Sequence, residues 1–169
     1  MKALIRDILI ALAIAIAVSC LIRPVIVKET SMEPTLKENN YLIAAKQAYR
    51  FGRIEYEDII IFKSETDKGR LLIKRVIGLP GDVITISDGV VYRSGKILKE
   101  DYIMGGETAV TPGEIYNFRV PEGQVFVMGD NRQVSLDSRS DMLGTISKKS
   151  IKGKAVFRFY PFSDAGKIH

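Results

Sequence analysis

An uninterrupted apolar stretch near the N-terminus constrains the fold of this chain more than any other feature. Residues 8–22 are 15 uncharged, mostly apolar residues between Arg6 and Arg23. A helix of that length extends roughly 22 Å at about 1.5 Å per residue, which is short of the roughly 30 Å hydrocarbon core of a bilayer. Residues 3–5 and 25–27 can supply the difference, because arginine side chains at helix ends reach toward the lipid headgroups. We therefore predict one transmembrane helix that anchors the chain.

Three other interpretations of this stretch compete with the anchor. A cleavable signal peptide is consistent with the basic start and with the Ala-x-Ala patterns in residues 11–17. Residues 17–20 resemble the cleavage motif of a lipoprotein signal. A buried helix of a soluble core is the third interpretation, although the stretch has no polar face. The anchor is favoured because Arg23 and Pro24 end the stretch as a membrane boundary would, and proline breaks or bends a helix.

The charges that flank the stretch predict its orientation. Lys2 and Arg6 favour a cytoplasmic N-terminus, although Arg23 and Lys28 on the other side oppose it. We expect residues 1–27 to form a cytoplasmic tail and membrane anchor. Residues 28–169 should then form one domain on the extracytoplasmic face of the cytoplasmic membrane, with lipid as a neighbour.

Composition excludes several classes of function. The net charge is +5, from 25 basic and 20 acidic residues, and these charges are dispersed along the chain. No recognition helix, zinc pattern or aromatic-basic RNA motif accompanies them, so nucleic-acid binding is not expected. The excess of basic residues is consistent with attraction to anionic lipid headgroups. A single cysteine, Cys20, excludes an intramolecular disulfide.

The rest of the chain has the pattern of a β domain. After Asn40 the apolar residues come in short groups rich in strand formers and separated by Gly, Pro and Asp. An Asp88-Gly89 turn between two of these groups predicts a hairpin. No later segment shows a long helical period, so we expect one mainly β domain with few short helices. The predicted strands are residues 41–44, 59–62, 71–77, 83–86, 90–92, 115–120, 124–128 and 155–160.

The available side chains restrict any hydrolytic chemistry. A Ser-His-Asp triad needs an imidazole between its nucleophile and its carboxylate, and the only histidine, His169, is the last residue. The only cysteine, Cys20, lies in the apolar stretch, which argues against Cys-His catalysis and a Cys/His zinc site. A serine activated by a lysine is the mechanism that this composition leaves open.

Four segments, in order, resemble the motifs of the type I signal peptidases, which are membrane serine proteases that remove signal peptides from exported proteins. They are residues 31–36, 58–62, 74–82 and 129–139, and the second of them is weak on its own. The resemblance implies a signal-peptidase-like catalytic β domain behind the anchor. It also implies that Ser31 is the nucleophile and Lys74 the general base.

The physical chemistry of Lys74 agrees with that role. A lysine accepts a proton from serine only when its amine is neutral, so its pKa must fall from about 10.4, which burial among apolar groups can achieve. In a strand, Lys74 shares a face with Leu72 and Val76. Without the resemblance, Lys74 and the neighbouring Arg75 would be interpreted as solvated strand residues.

The fourth segment supplies supporting residues by the same resemblance. Ser135 matches a second serine that hydrogen-bonds the catalytic lysine and orients it. Asp137 and Arg139 match a charged pair that lies next to the catalytic residues and supports their positions. An exposed pair, contributing under about 1 kcal/mol, is the alternative interpretation of Asp137 and Arg139.

One position departs from the pattern of some family members. Acyl transfer places negative charge on the carbonyl oxygen, which donors must meet. The backbone N–H of Ser31 is the expected first donor. Some members add a serine hydroxyl two positions earlier, where this chain has Glu29, and an ionised carboxylate cannot donate. Thr30 offers a hydroxyl next to it.

The resemblance implies cleavage after small residues at the first and third positions before the scissile bond. It implies signal peptides as partners, a monomer, and neither a metal nor an organic cofactor. Two alternatives remain open at this point. One is a related Ser-Lys peptidase dedicated to a special precursor, such as a pilus or spore-coat protein. The other is a membrane-tethered β binding domain in which Ser31 and Lys74 are inert.

Overall fold

A computed structural model describes residues 2–66, 69–108 and 116–168 of the chain. The elements in chain order are α1 (Lys2–Leu21), β1 (Ile22–Ile26), β2 (Tyr41–Ala45), α2 (Ala48–Phe51), β3 (Ile59–Lys63), β4 (Leu71–Gly78), β5 (Val83–Ser87), β6 (Val90–Arg93), β7 (Lys96–Ile97), β8 (Tyr116–Arg119), β9 (Gln124–Met128), β10 (Ile146–Ser147), β11 (Ile151–Tyr160) and β12 (Gly166–Lys167). Short 3₁₀ helices span Lys148–Ser150 and Phe162–Asp164. The described chain is mainly β, with short helices after α1, as predicted.

Helix α1 is long and apolar enough to cross a bilayer. It has 20 residues with a mean hydropathy of 2.4, and none of it is buried by the rest of the chain. At about 1.5 Å per residue it spans roughly 30 Å, which matches the hydrocarbon core. It starts earlier than residue 8, so the additional length comes from its N-terminal side.

The segment after α1 differs from the expectation that residues 25–27 extend the anchor. The helix ends at Leu21, and Ile22–Ile26 form β1, which pairs antiparallel with β2. Pro24 explains the change, since its ring cannot continue a helix. An edge strand tolerates the missing N–H of Pro24. The sheet therefore starts inside the segment 1–27 that was assigned to the tail and anchor.

The larger sheet holds most of the strands. Its order is β1-β2-β11-β3-β4-β9-β10, with β12 paired to β11. All of these pairs are antiparallel. In β3, Ile59 and Ile61 pack into one apolar cluster while Ile60 and Phe62 pack into another. This alternation follows from the two-residue period of a strand and shows that β3 is covered on both faces.

A smaller sheet, in the order β7-β6-β5-β8, packs beside the larger one. Its β5–β6 hairpin turns at Asp88 and Gly89, whose φ angles are 49° and 77°. Positive φ at both central positions is the requirement of a type I′ turn, as the Asp-Gly pair predicted. A third apolar cluster joins this sheet to Ile77 and Phe126 of the larger sheet.

Strand boundaries depart from prediction at a few places. The strand predicted at residues 115–120 is β8, Tyr116–Arg119, and residue 115 lies outside the described residues. Strand β11 begins at Ile151, not at residue 155. Strands β1, β7, β10 and β12 are not among the predicted ranges. Three of these have only two residues, too few for a recognisable alternation.

Candidate active site

The structure brings Ser31 and Lys74 into direct contact. Lys74 Nζ donates a hydrogen bond to Ser31 Oγ at 2.6 Å. Lys74 is 1% exposed and Ser31 is 8% exposed. Lys74 lies in the middle of β4, and Ser31 lies in the turns that lead from β1 to β2. The two residues are 43 positions apart in sequence, so the sheet creates their proximity.

Burial shifts the charge state of Lys74 toward the neutral form. Leu72 and Val76 flank it along β4 and are themselves buried in an apolar cluster. Burial of the amine lowers the pKa of Lys74 below its usual 10.5, and the carboxylates of Asp137, Glu29 and Asp130 partly oppose this by raising it. The site therefore shifts Lys74 toward the neutral form that can accept a proton.

The backbone around Ser31 is held from two sides. The carbonyl of Ser31 accepts a hydrogen bond from the N–H of Asn131 at 3.1 Å. The next residue, Met32, is 1% exposed and packs in an apolar cluster. Its carbonyl accepts from the N–H of Leu36 at 2.8 Å. These contacts fix Ser31 on a short, well-packed turn.

Asp137 and Arg139 form a buried pair beside the site. Arg139 Nε donates to Asp137 Oδ1 at 2.8 Å, and the two side chains are 13% and 0% exposed. Asp137 Oδ2 accepts from the backbone N–H of Gly129 at 3.0 Å, and Arg139 Nη2 donates to the carbonyl of Arg132 at 2.9 Å. The interpretation of Asp137 and Arg139 as an exposed pair is therefore wrong, since both side chains are largely buried and bind the backbone at the start of the loop after β9.

Ser135 lies behind the nucleophile, but its expected hydrogen bond to Lys74 is absent. Its buried Oγ has no hydrogen-bond partner among residues 2–66, 69–108 and 116–168. The amine of Lys74 bonds to Ser31 Oγ instead. Gly129 separates the two serines: a Cβ at this position would lie 2.3 Å from both Ser135 Oγ and the Ser31 carbonyl oxygen. A side chain at position 129 is therefore incompatible with this packing.

A second buried ion pair was missed at the sequence level. Arg75 donates from Nε and Nη2 to the two carboxylate oxygens of Asp130 at 2.8 and 2.7 Å. Both side chains are 1% exposed, and the guanidinium lies 4.0 Å from the ring centroid of Tyr102. The interpretation of Arg75 as a solvated strand residue is therefore wrong. The sequence indicated a role for Arg75 only through its position next to Lys74 in the third motif segment.

A groove runs past Ser31 and contains two chambers. The first chamber has a volume of about 440 Å³. One wall is β1 and the segment that follows it up to Met32, and the other wall is residues 70–73 at the start of β4. The catalytic chamber, about 400 Å³, contains Ser31 and Lys74 and has apolar walls that include Leu72, Val134 and Leu136. The two chambers share five lining residues: Lys28, Glu29, Ser31, Arg70 and Leu72.

Two strand edges face this groove. Within the described chain, β1 pairs only with β2. Strand β4 pairs with β9 only from Arg75 onward, which leaves residues 71–74 unpaired on the side away from β3. Exposed strand edges can accept an added strand through backbone hydrogen bonds.

Glu29 does not act as a donor to the site. Its carboxylate forms an ion pair with Arg70 at 2.7 Å. The Ser31 N–H stays the predicted oxyanion donor. Among the described residues, no group of three His, Cys, Asp or Glu side chains is arranged to hold a metal, and His169 lies outside those residues.

Comparisons with known proteins agree on one family. The family model described as signal peptidase, peptidase S26, matches residues 1–160. Signal peptidase I of Bacillus licheniformis is 36% identical over 170 residues, covering 96% of this chain and 90% of that protein. Probable signal peptidase I-1 of Synechocystis is 38% identical over 169 residues, covering 93% and 83%. The crystal structure of a signal peptidase I from Enterococcus faecalis superposes with a TM-score of 0.51 and 34% identity, covering 60% of this chain and 96% of that one.

Proposed function

This chain belongs to the signal peptidase family, peptidase S26, and we propose that it cleaves with Ser31 as nucleophile and Lys74 as general base. As a family member it is a serine endopeptidase that removes signal peptides. The single observation that supports the assignment of Ser31 and Lys74 is their 2.6 Å hydrogen bond in a buried site. A serine hydroxyl needs a base within hydrogen-bond reach to become a useful nucleophile.

The chemistry proceeds through an acyl-enzyme. Neutral Lys74 removes the proton from Ser31 Oγ as that oxygen bonds to the scissile carbonyl carbon. Lys74 then gives this proton to the leaving amine as the C–N bond breaks, and the mature N-terminus departs. In the second half, Lys74 takes a proton from water as the water oxygen attacks the ester. Lys74 returns this proton to Ser31 Oγ as the ester C–O bond breaks. The signal peptide leaves with a new carboxyl group, which then loses its proton to solvent.

The backbone N–H of Ser31 is the proposed donor to the oxyanion. A donor at this position meets the negative charge that develops on the carbonyl oxygen. Some family members carry a serine at the position of Glu29, two residues before Ser31. In this chain the Glu29 carboxylate forms an ion pair with Arg70.

Asp137 and Arg139 are proposed as positioning residues, because their pair holds the loop whose Asn131 N–H binds the Ser31 carbonyl. Ser135 is proposed to orient Lys74. Its Oγ, which has no partner in the described part of the chain, is available to accept a hydrogen bond from the protonated amine.

The substrate is proposed to bind as an added strand in the groove. The unpaired edges of β1 and of residues 71–74 present backbone donors and acceptors to an extended peptide. The side chains before the scissile bond, small ones in the Ala-x-Ala pattern that the family resemblance implies, are proposed to enter the catalytic chamber, which Ser31 and Lys74 line.

Helix α1 is the one described helix that is long and apolar enough for a single span. We propose that α1 crosses the cytoplasmic membrane with its N-terminus in the cytoplasm and that the β domain is extracytoplasmic. Lys46 Nζ and Gln47 Nε2 donate to the carbonyls of Ser19 and Cys20 at 2.9 and 3.3 Å, so the sheet begins directly where the helix ends.

The test is incubation of the detergent-solubilised chain with a panel of exported preproteins, followed by sequencing of any new N-termini. Wild type should produce mature N-termini that follow small residues, and Ser31→Ala should produce none. Cleavage by Ser31→Ala, or cleavage at unrelated sites, would contradict the assignment. Processing restricted to one class of precursor would indicate a dedicated enzyme.

A further inference from the structure

One ion pair crosses the groove at the boundary between its two chambers. Glu29 lies on the segment that leads from β1 to Ser31, and Arg70 lies immediately before β4. Their side chains meet at 2.7 Å. Glu29 and Arg70 both line the first chamber and the catalytic chamber. The pair therefore joins the two walls of the groove between which the peptide is proposed to lie.

The position of the pair matters for a peptide that comes from the membrane. The first chamber begins at Arg23, next to the end of α1, and follows β1 toward Ser31. A peptide added along β1 from the helix end meets residue 29 before it reaches the nucleophile. Its backbone and the Glu29–Arg70 bridge require the same space between the walls.

The bridge is weak enough to be displaced. The Arg70 and Glu29 side chains are 51% and 37% exposed, unlike the buried Arg75–Asp130 and Asp137–Arg139 pairs of the same site. Exposed ion pairs are screened by salt and contribute little free energy. A peptide that forms several backbone hydrogen bonds can open such a bridge, whereas a loosely bound segment cannot.

We propose that Glu29 and Arg70 form a gate across the substrate groove, which opens when a peptide strand is added between β1 and β4. Opening the gate lowers the affinity of each peptide that crosses it by the free energy of the ion pair. A peptide strand therefore opens the gate only when its own contacts with the groove outweigh that cost. This proposal rests on the proposed function, because it requires the peptide to enter along the β1 edge.

The test measures peptide binding separately from cleavage. In the full chain carrying Ser31→Ala, the dissociation constant of a fluorescent peptide with alanines at the first and third positions before the scissile bond is measured by anisotropy. Adding Glu29→Gln or Arg70→Met should tighten binding about two- to fivefold, the range expected for an exposed pair. The double variant should bind no tighter than either single variant, since either change opens the same bridge.

The dependence of peptide binding on salt concentration provides a second test, and a variant at another exposed ion pair provides the control. Rising ionic strength should tighten binding to the Ser31→Ala chain and should leave the gate variants unchanged. Lys99→Met removes the equally short but remote Lys99–Asp101 pair, whose side chains are 86% and 76% exposed, and should not alter binding.

Three outcomes would overturn the gate. Weaker binding in the single variants would make Glu29 and Arg70 substrate contacts. Unchanged binding would make their pair a surface ion pair without a role, and additive effects would show that they act separately. Failure of the proposed function is distinguished in parallel, because the chain with Ser31 intact would then leave the same peptide uncut.

Discussion

At the scale of single residues, the site depends on a lysine whose pKa is lowered by burial, which shifts its amine toward the neutral form. Burial lowers the pKa of Lys74, while the carboxylates of Asp137, Glu29 and Asp130 raise it and Arg139 lowers it again. If Lys74 is the general base, it acts only when deprotonated, so activity should appear as the pH rises through its pKa. Because the pKa of Lys74 is lowered, activity should begin at a lower pH than it would with an exposed lysine as the base.

Glu29→Gln should therefore move the pH profile. Removing this carboxylate removes a charge that raises the pKa of Lys74. The rising limb of kcat/KM, which reports the free enzyme, should shift to lower pH. Asp101→Asn, at an exposed pair that does not influence Lys74, is the control and should leave the limb in place. A limb that stays in place in Glu29→Gln would show that Glu29 does not influence the base.

Gly129 tests how tightly the nucleophile is packed. In Gly129→Ala the new Cβ would lie 2.3 Å from the Ser31 carbonyl oxygen, a backbone atom that must then move. Displacements of about 1 Å at a reacting group can cost about 100-fold in rate, so we expect kcat to fall by that order. Gly166→Ala is the matched control, because a Cβ there meets nothing within 4 Å. Near-normal kcat in Gly129→Ala would mean that the turn tolerates displacement.

At the scale of elements, the loop between β9 and β10 holds the site together through the Asp137–Arg139 pair. Asp137→Ala removes the carboxylate that accepts hydrogen bonds from the Arg139 guanidinium and from the Gly129 N–H. Breaking a buried pair in this way should lower the free energy of unfolding by about 3–5 kcal/mol, measured by urea denaturation of the full chain in detergent. Asp137→Leu combined with Arg139→Met should recover most of the loss. A loss under about 1 kcal/mol would match an exposed pair instead.

The elements themselves were predictable where the strand is long or bounded by a clear turn. The Asp88-Gly89 hairpin and the apolar segment that forms β3 are examples. β1 was not predictable, because Pro24 indicates the end of a helix and gives no signal of an edge strand that pairs with β2. Ser31 and Lys74 were found only through the motif resemblance. The contacts of Arg75 with Asp130 and of Glu29 with Arg70 depend on distant pairing that no local pattern encodes.

At the scale of the whole molecule, the anchor and the catalytic groove are continuous. α1 ends at Leu21, β1 begins at Ile22, and the groove follows β1 toward Ser31. A substrate whose apolar segment lies in the bilayer would thus meet the groove close to the membrane surface. A sheet that starts directly at the end of α1 therefore places one end of the groove next to the apolar helix.

The anchor makes a topological prediction. Residues 1–27 should remain attached in the mature protein, with the β domain on the opposite side of the membrane from Lys2. Protease added to spheroplasts should digest the domain and spare an N-terminal tag. A mature N-terminus at or after Cys20 would favour a cleaved or lipoprotein signal instead.

The most direct measurement of the central assignment is preprotein processing by Lys74→Arg. Arginine keeps the positive charge and much of the length of lysine, but its guanidinium does not deprotonate in a protein. If Lys74 is the general base, this variant should produce no mature N-termini under conditions in which wild type processes the preprotein fully, and its urea unfolding should show that it remains folded. Processing at a near wild-type rate would show that Lys74 contributes only its charge, and would contradict the proposed mechanism.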